Sequence, residues 1–154
     1  MARGYRGIFI HLIWHTKNNR PILHGDLELF VHRRVREMAT EQGLTPIAVN
    51  SAWNHVHVLA RWNTTVCFAD MLRDWKGRTY TEWRKRMKKM GFESKLHWQD
   101  GGTIFSISPA EVDRLKDYIA NQKEHHTKAT TIDYYENPVE VGEWSSARAR
   151  HGGG

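Results

Sequence analysis

Two hydrophobic periods alternate along this chain and together predict its elements. Residues 5–15, YRGIFIHLIWH, are rich in β-branched and aromatic side chains, which predicts a strand, and Asn18-Asn19-Arg20-Pro21 supplies turn residues after it. From Asp26 to Gln42 the apolar residues Leu27, Phe30, Val31, Val35 and Met38 recur at helical spacing, with Gly43 as a C-cap. Pro46 to Trp53 and His55 to Trp62 read as two short strands in a hairpin turning at Trp53-Asn54. A long helical region follows from Val66 to Met90, with a break expected near Gly77 and Gly91 ending it. Thr103 to Ile107 reads as a further strand. Ser108-Pro109-Ala110-Glu111 then opens a helix expected to run from Pro109 to about Thr127, with Ser as N-cap and Pro at the first helical position. From Ala129 the periodicity is lost, so residues 129–154 are expected to form an irregular, partly mobile tail on a domain of residues 1–128. This order of strands and helices predicts an α+β arrangement, an antiparallel sheet with helices on one face.

Composition narrows the class of partner. At 154 residues with 40% hydrophobic side chains the chain suits one domain with a real core, and seven Trp, five Tyr and five Phe make that core aromatic. Cys67 is the single cysteine, which excludes an internal disulfide and a zinc finger. No apolar run is long enough to span a bilayer and the start lacks a secretory layout, so a cytoplasmic location and no membrane partner are expected. A net charge of +6 and a pI near 9.6 suit a polyanion, which in that compartment is mostly nucleic acid.

Two short segments carry candidate chemistry. In Asn54-His55-Val56-His57 the two histidines share one face of a strand, because side chains there alternate with period two. Paired imidazoles can bind one divalent ion, although an isolated His-x-His is more often a pair on the wetter face of a half-buried strand. In Tyr118-Ile119-Ala120-Asn121-Gln122, Tyr118 and Gln122 are four apart and project together from a helix. Val112, Leu115 and Ile119 form an adjacent stripe suited to pack on the sheet; alone, Tyr118 would be an amphipathic core tyrosine. Taken together, a helix laid over the sheet could bring the Gln122 amide oxygen to the two imidazoles and Tyr118 within reach of the ion. Two His and one amide leave part of an octahedral shell open, which suits Mg²⁺ or Mn²⁺ acting on a phosphodiester.

These residues resemble the HUH single-tyrosine transposases of the insertion-sequence 200/605 type, relatives of the REP-associated tyrosine transposases. The likeness runs from about residue 5 to residue 128. It includes His11 to Lys17 with Arg20-Pro21, the Asn54 to His57 strand, Lys76-Gly77, Trp98 to Gly101, Phe105 to Ser108, and Tyr118 to Gln122 followed by Glu124-His125-His126. The resemblance implies a ferredoxin- or RRM-like fold with a catalytic tyrosine, Tyr118, on the last helix. It also implies a metal held by His55, His57 and Gln122, and attack on single-stranded DNA leaving a 5′-phosphotyrosine and a free 3′-hydroxyl. Subterminal DNA hairpins and a homodimer are the implied partners, with Lys17, Arg20, Lys76 and Arg78 as DNA contacts. The basic residues of the second helix either line a DNA backbone groove or form a solvated face. Trp53 departs from the proline common in the family at that position.

Two other readings are a non-cleaving RRM-like module that holds RNA or single-stranded DNA, and a domesticated relative that keeps the cleavage chemistry. A relaxase would use the same chemistry but is disfavoured by the short chain. His125 and His126 read as solvated helix-end residues, and His11 and His15 are too far apart along the strand for one ion.

Overall fold

A computed structural model of the chain describes residues 7–136. Its elements are β1 (Phe9–His15), α1 (Gly25–Glu41), β2 (Thr45–Ser51), β3 (His55–Arg61), α2 (Phe68–Lys89), β4 (Thr103–Ile107), α3 (Val112–Ala120), α4 (Gln122–Thr127) and α5 (Asp133–Glu136). Short 3₁₀ turns occupy Lys17–Asn19 and Pro109–Glu111. The four strands form one antiparallel sheet in the order β2-β3-β1-β4, which is the α+β class the patterning predicts.

Beyond shifts of one or two residues at element ends, the element predictions hold with four adjustments. The opening strand begins at Phe9, and Tyr5 and Arg6 lie outside the described residues. Helix α2 runs unbroken through Gly77, where a side chain would meet only open space. The helix expected from Pro109 to Thr127 is divided at Asn121, which has a non-helical φ of −112° and ψ of 27°. The division has a tertiary cause. The Asn50 side-chain amide on β2 donates to the carbonyls of Ile119 and Ala120 at 2.8 and 3.2 Å, satisfying acceptors that a continuing helix would use itself. Ser108 makes no side-chain capping bond, and Pro109 alone marks the helical start.

Helices cover both faces of the sheet, where one covered face was expected. Ile10, Leu12 and Trp14 of β1 and Val56, Val58 and Ala60 of β3 join residues of α1 and α2 in the larger core. The alternate residues point the other way, and there Leu59 joins Ala48, Ile107, Leu115, Tyr118, Ile119 and Tyr135 in a second core beneath α3. β3 is therefore buried on both sides from His55 to Ala60, and its histidines lie under a helix instead of on a wet face. Within the segment expected to be irregular, Asp133–Glu136 forms one helical turn that packs Tyr135 into this second core. Residues 137–154 of that expected tail lie outside the described residues. No helix among the described residues is long and apolar enough to cross a membrane.

Candidate active site

The site lies between the second face of the sheet and the α3–α4 junction. Period-two alternation sends His55 and His57 to this face of β3, and antiparallel pairing sets His15 opposite His55. On α3 the apolar residues Leu115 and Ile119 are fully buried against the sheet, which brings Tyr118 down beside them at 4% exposure. Gln122, the first residue of α4, is fully buried. The structure thus brings together His55, His57, Tyr118 and Gln122, the four residues singled out by the sequence.

They converge on a carboxylate. Glu136 places Oε2 at 2.8 Å from His55 Nε2 and 3.3 Å from His57 Nε2. Its Oε1 accepts a hydrogen bond from the Tyr118 hydroxyl at 2.5 Å and one from Gln122 Nε2 at 3.2 Å. His126 Nε2 lies 3.3 Å from the same oxygen. The Ile132 backbone N–H donates to the Tyr118 oxygen at 3.1 Å, and the His125 ring stacks on the phenol at 4.4 Å between centroids. Behind the pair, His11 Nε2 meets His57 Nδ1 at 2.8 Å, and His55 Nδ1 meets Asn54 Oδ1 at 2.6 Å.

Burial sets the charge states. Desolvation lowers His57 to about 4 and His11 to about 3, so both rings are neutral at physiological pH. Burial alone would raise the Glu136 carboxyl, but its contacts with His55, His57 and Tyr118 hold it well below the usual carboxylate range. The same burial, with the hydrogen bond to Glu136, pushes the Tyr118 phenol above its ordinary value, so it is protonated in this arrangement.

The pocket suits a divalent cation. Gln122 Oε1 and His57 Nε2 are buried without a hydrogen-bond partner; a cation would satisfy the amide oxygen, and the ring nitrogen too when the His57 proton sits on Nδ1. Ligand atoms of His55, His57 and Glu136 lie within 4.8 Å of one another. Imidazole nitrogen, amide oxygen and carboxylate oxygen form a mixed set compatible with Mn²⁺ or Mg²⁺.

The four expected DNA contacts are distributed differently. Lys17 and Arg20 are exposed and line a cleft of about 260 Å³ with Asn18, Ile22, Lys95 and His97. Lys76 Nζ donates to the carbonyls of Gln99, at 2.7 Å, and of Gly101, so it fastens the loop before β4 to α2. Arg78 pairs with Glu41 at 3.1 Å and Asp74 at 3.5 Å. The lysine of α2 and the segment 98–101, two separate parts of the sequence resemblance, are in this way one structural unit.

Residues 5–122 match the family model described as "Transposase IS200 like". The chain belongs to this transposase family. A transposase function follows at the level of the class, the cleavage and transfer of DNA. The fold agrees with solved structures. A protein from Deinococcus radiodurans R1 assigned as a transposase aligns with a TM-score of 0.59 and 22% identity, over 80% of this chain and 97% of that one. A REP-associated tyrosine transposase bound to a REP hairpin aligns with a TM-score of 0.57 and 16% identity, over 82% of this chain and 74% of that one. No curated protein matches the chain significantly.

Sequence reasoning on this IS200-like transposase missed Glu136, His11 and His126. Along β1, His11 is too distant from His15 to share an ion with it; its partner is His57 on the neighbouring strand, a pairing only the register reveals. His126 sits at a helix end where sequence predicts a solvated ring, but the turn after Asn121 points it toward Glu136. Glu136 lies beyond the matched residues, in a stretch with no periodicity, and no local signal marks it.

Proposed function

We propose that this transposase-family protein cleaves and rejoins single-stranded DNA with Tyr118 as nucleophile and a divalent cation held by His55, His57 and Gln122. The observation that carries the reading is the meeting of phenol, amide and paired imidazoles in one pocket of a single subunit, with the amide oxygen left without a partner. The Tyr118 oxygen attacks phosphorus, the bond from phosphorus to the 3′ oxygen breaks, and that oxygen takes up a proton. The products are a 5′-phosphotyrosine and a free 3′-hydroxyl. Attack by another 3′-hydroxyl reverses the step and restores the phenol, so the bond energy is conserved and no cofactor is consumed. When bound, Mg²⁺ or Mn²⁺ supplies Lewis acidity toward the phosphate oxygens.

The chain's own residues do the positioning. Asn54 and His11 fix the rings of His55 and His57, and the Asn50 bonds to the end of α3 fix the turn between Tyr118 and Gln122. A phosphate reaches Tyr118 once the bonds from its oxygen to Ile132 and Glu136 give way, because the residue is only 4% exposed. Lys17 and Arg20, exposed beside the His15 end of β1, are suited to phosphates of the bound strand. A DNA hairpin is the expected substrate form, and a homodimer the expected assembly.

The test incubates the protein with single-stranded flanks of its own gene and Mn²⁺ or Mg²⁺, then resolves protein–DNA adducts on a denaturing gel. Tyr118→Phe should abolish the adduct while leaving DNA binding intact. An adduct that survives this substitution reassigns the nucleophile, and absence of any adduct in the unsubstituted protein leaves the non-cleaving binding module as the better account.

A further inference from the structure

Around His55 and His57, possible ligand atoms crowd one buried carboxylate. Asn54 Oδ1 can only accept, so at 2.6 Å it requires the proton of His55 on Nδ1. The ring's Nε2 lies 2.8 Å from Glu136 Oε2, within reach of an ion held between them. His57 Nε2 approaches the same oxygen at 3.3 Å without a hydrogen bond, and Gln122 Oε1 is a buried acceptor with no donor. Ligand atoms of two imidazoles on β3 and of a carboxylate on one late turn of helix thus lie within 4.8 Å of one another, beside a buried amide oxygen of α4 that has no donor. The carboxylate is not a stray surface group, since its side chain is 8% exposed.

We propose that Glu136 is an anionic ligand of the metal site, through Oε2, in the DNA-free protein, and that its other oxygen ties the Tyr118 hydroxyl to that site. The ligand set is then two imidazoles, one amide and one carboxylate, and the turn Asp133–Glu136 is part of the metal centre. The proposal rests on the metal reading given above and extends it to a residue outside the family match. A hard carboxylate among the ligands also sets a preference: it favours oxygen-seeking Mn²⁺ over nitrogen-seeking Ni²⁺, relative to a site lacking it.

Full-length, chelator-stripped protein is titrated with Mn²⁺, and free ion is read from its electron paramagnetic resonance signal; Ni²⁺ is titrated in parallel by calorimetry. Glu136→Gln keeps the side chain's shape, and metal-free melting curves confirm an unchanged fold. It should weaken Mn²⁺ binding roughly tenfold or more, as loss of a ligand or of its orienting partner commonly does, and weaken Ni²⁺ binding less. Glu136→Asp, which keeps the charge, should fall between. If Glu136→Gln binds Mn²⁺ within roughly twofold of the unsubstituted protein while His57→Ala loses it, the carboxylate is no ligand and the histidine site stands. If His57→Ala also binds normally, the histidine site itself falls and takes the proposal with it. A parallel loss of Mn²⁺ and Ni²⁺ affinity in Glu136→Gln would assign the residue a structural role instead.

Discussion

The two faces of the sheet are built from the same strands and do opposite things. Toward α1 and α2, β1 and β3 present Leu12, Trp14, Val56 and Val58, all essentially inaccessible and, the indole N–H of Trp14 apart, all apolar. Toward α3 and α4 the intervening residues His11, His55 and His57 are just as buried, yet they carry ring nitrogens that need partners. The first face stabilises the fold by removing apolar area from water, at roughly 25 cal/mol per Å². The second gives up part of that gain, because a buried polar atom left unpaired costs about 1–3 kcal/mol. The contrast teaches that burial alone does not distinguish core from site; the chemistry of what is buried does.

The largest effects should separate the faces cleanly. Leu12→Ala removes a fully buried side chain from the apolar face and should lower unfolding free energy by about 2–5 kcal/mol. The folded fraction should keep its metal affinity and, with DNA, its adduct. His57→Ala should do the reverse, abolishing metal-dependent cleavage with a smaller stability loss, chiefly from stranding His11. Denaturant titration without metal, set beside the adduct gel, measures both. A His57→Ala protein that still cleaves, or a folded Leu12→Ala protein that does not, would break the division of labour between the faces.

A smaller effect tests how the polar face is held in order. Asn54 Oδ1 fixes the proton of His55 on Nδ1 and so leaves Nε2 free to ligate. Asn54→Ala removes that constraint without removing a ligand. Loss of such an orienting partner typically costs about 10–100-fold in metal affinity, so Mn²⁺ binding should fall within that range while secondary structure is unchanged. An affinity equal to that of the unsubstituted protein would mean the backbone alone orients His55.

How much of this was legible beforehand also divides by face. The apolar face follows from two periods, Leu27-Phe30-Val31-Val35-Met38 on α1 and the alternation along β3, and both were readable because hydrophobic burial repeats. His55, His57, Tyr118 and Gln122 were readable as local spacings, HxH on a strand and four residues on a helix. The division of the helix at Asn121 was not, since its cause is Asn50, about seventy residues away in sequence. Nor was the covering of both faces, which shows only once α3 is placed over β2 and β3. His11 and Glu136 were invisible for the same reason: each acts through a partner on another element, and no periodicity records a tertiary contact.

The smallest expected effect concerns His32, an acid-sensitive histidine of α1 that bonds Ser51 of β2 at 2.9 Å. Burial lowers its pKa to about 4, with Lys123 and Arg36 lowering it further and Glu28 opposing them. An unfolded chain binds a proton there near pH 6.5, which the folded protein refuses until about pH 4. Above pH 6.5 both states are neutral and the group contributes no slope; between those values the unfolded state binds more protons, so stability falls as pH falls. His57 acts in the same direction over the same window and His11 down to about pH 3, and Glu136, held ionised, adds to the loss as acid protonates it. His32→Gln should therefore flatten the acid limb of the denaturation midpoint only slightly, since His32 is one partly exposed group and the remaining slope belongs to the face that carries His11 and His57. If His32→Gln removed most of the slope, the polar face would not be where acid acts, and the neutral state assigned to His11 and His57 would have to be given up.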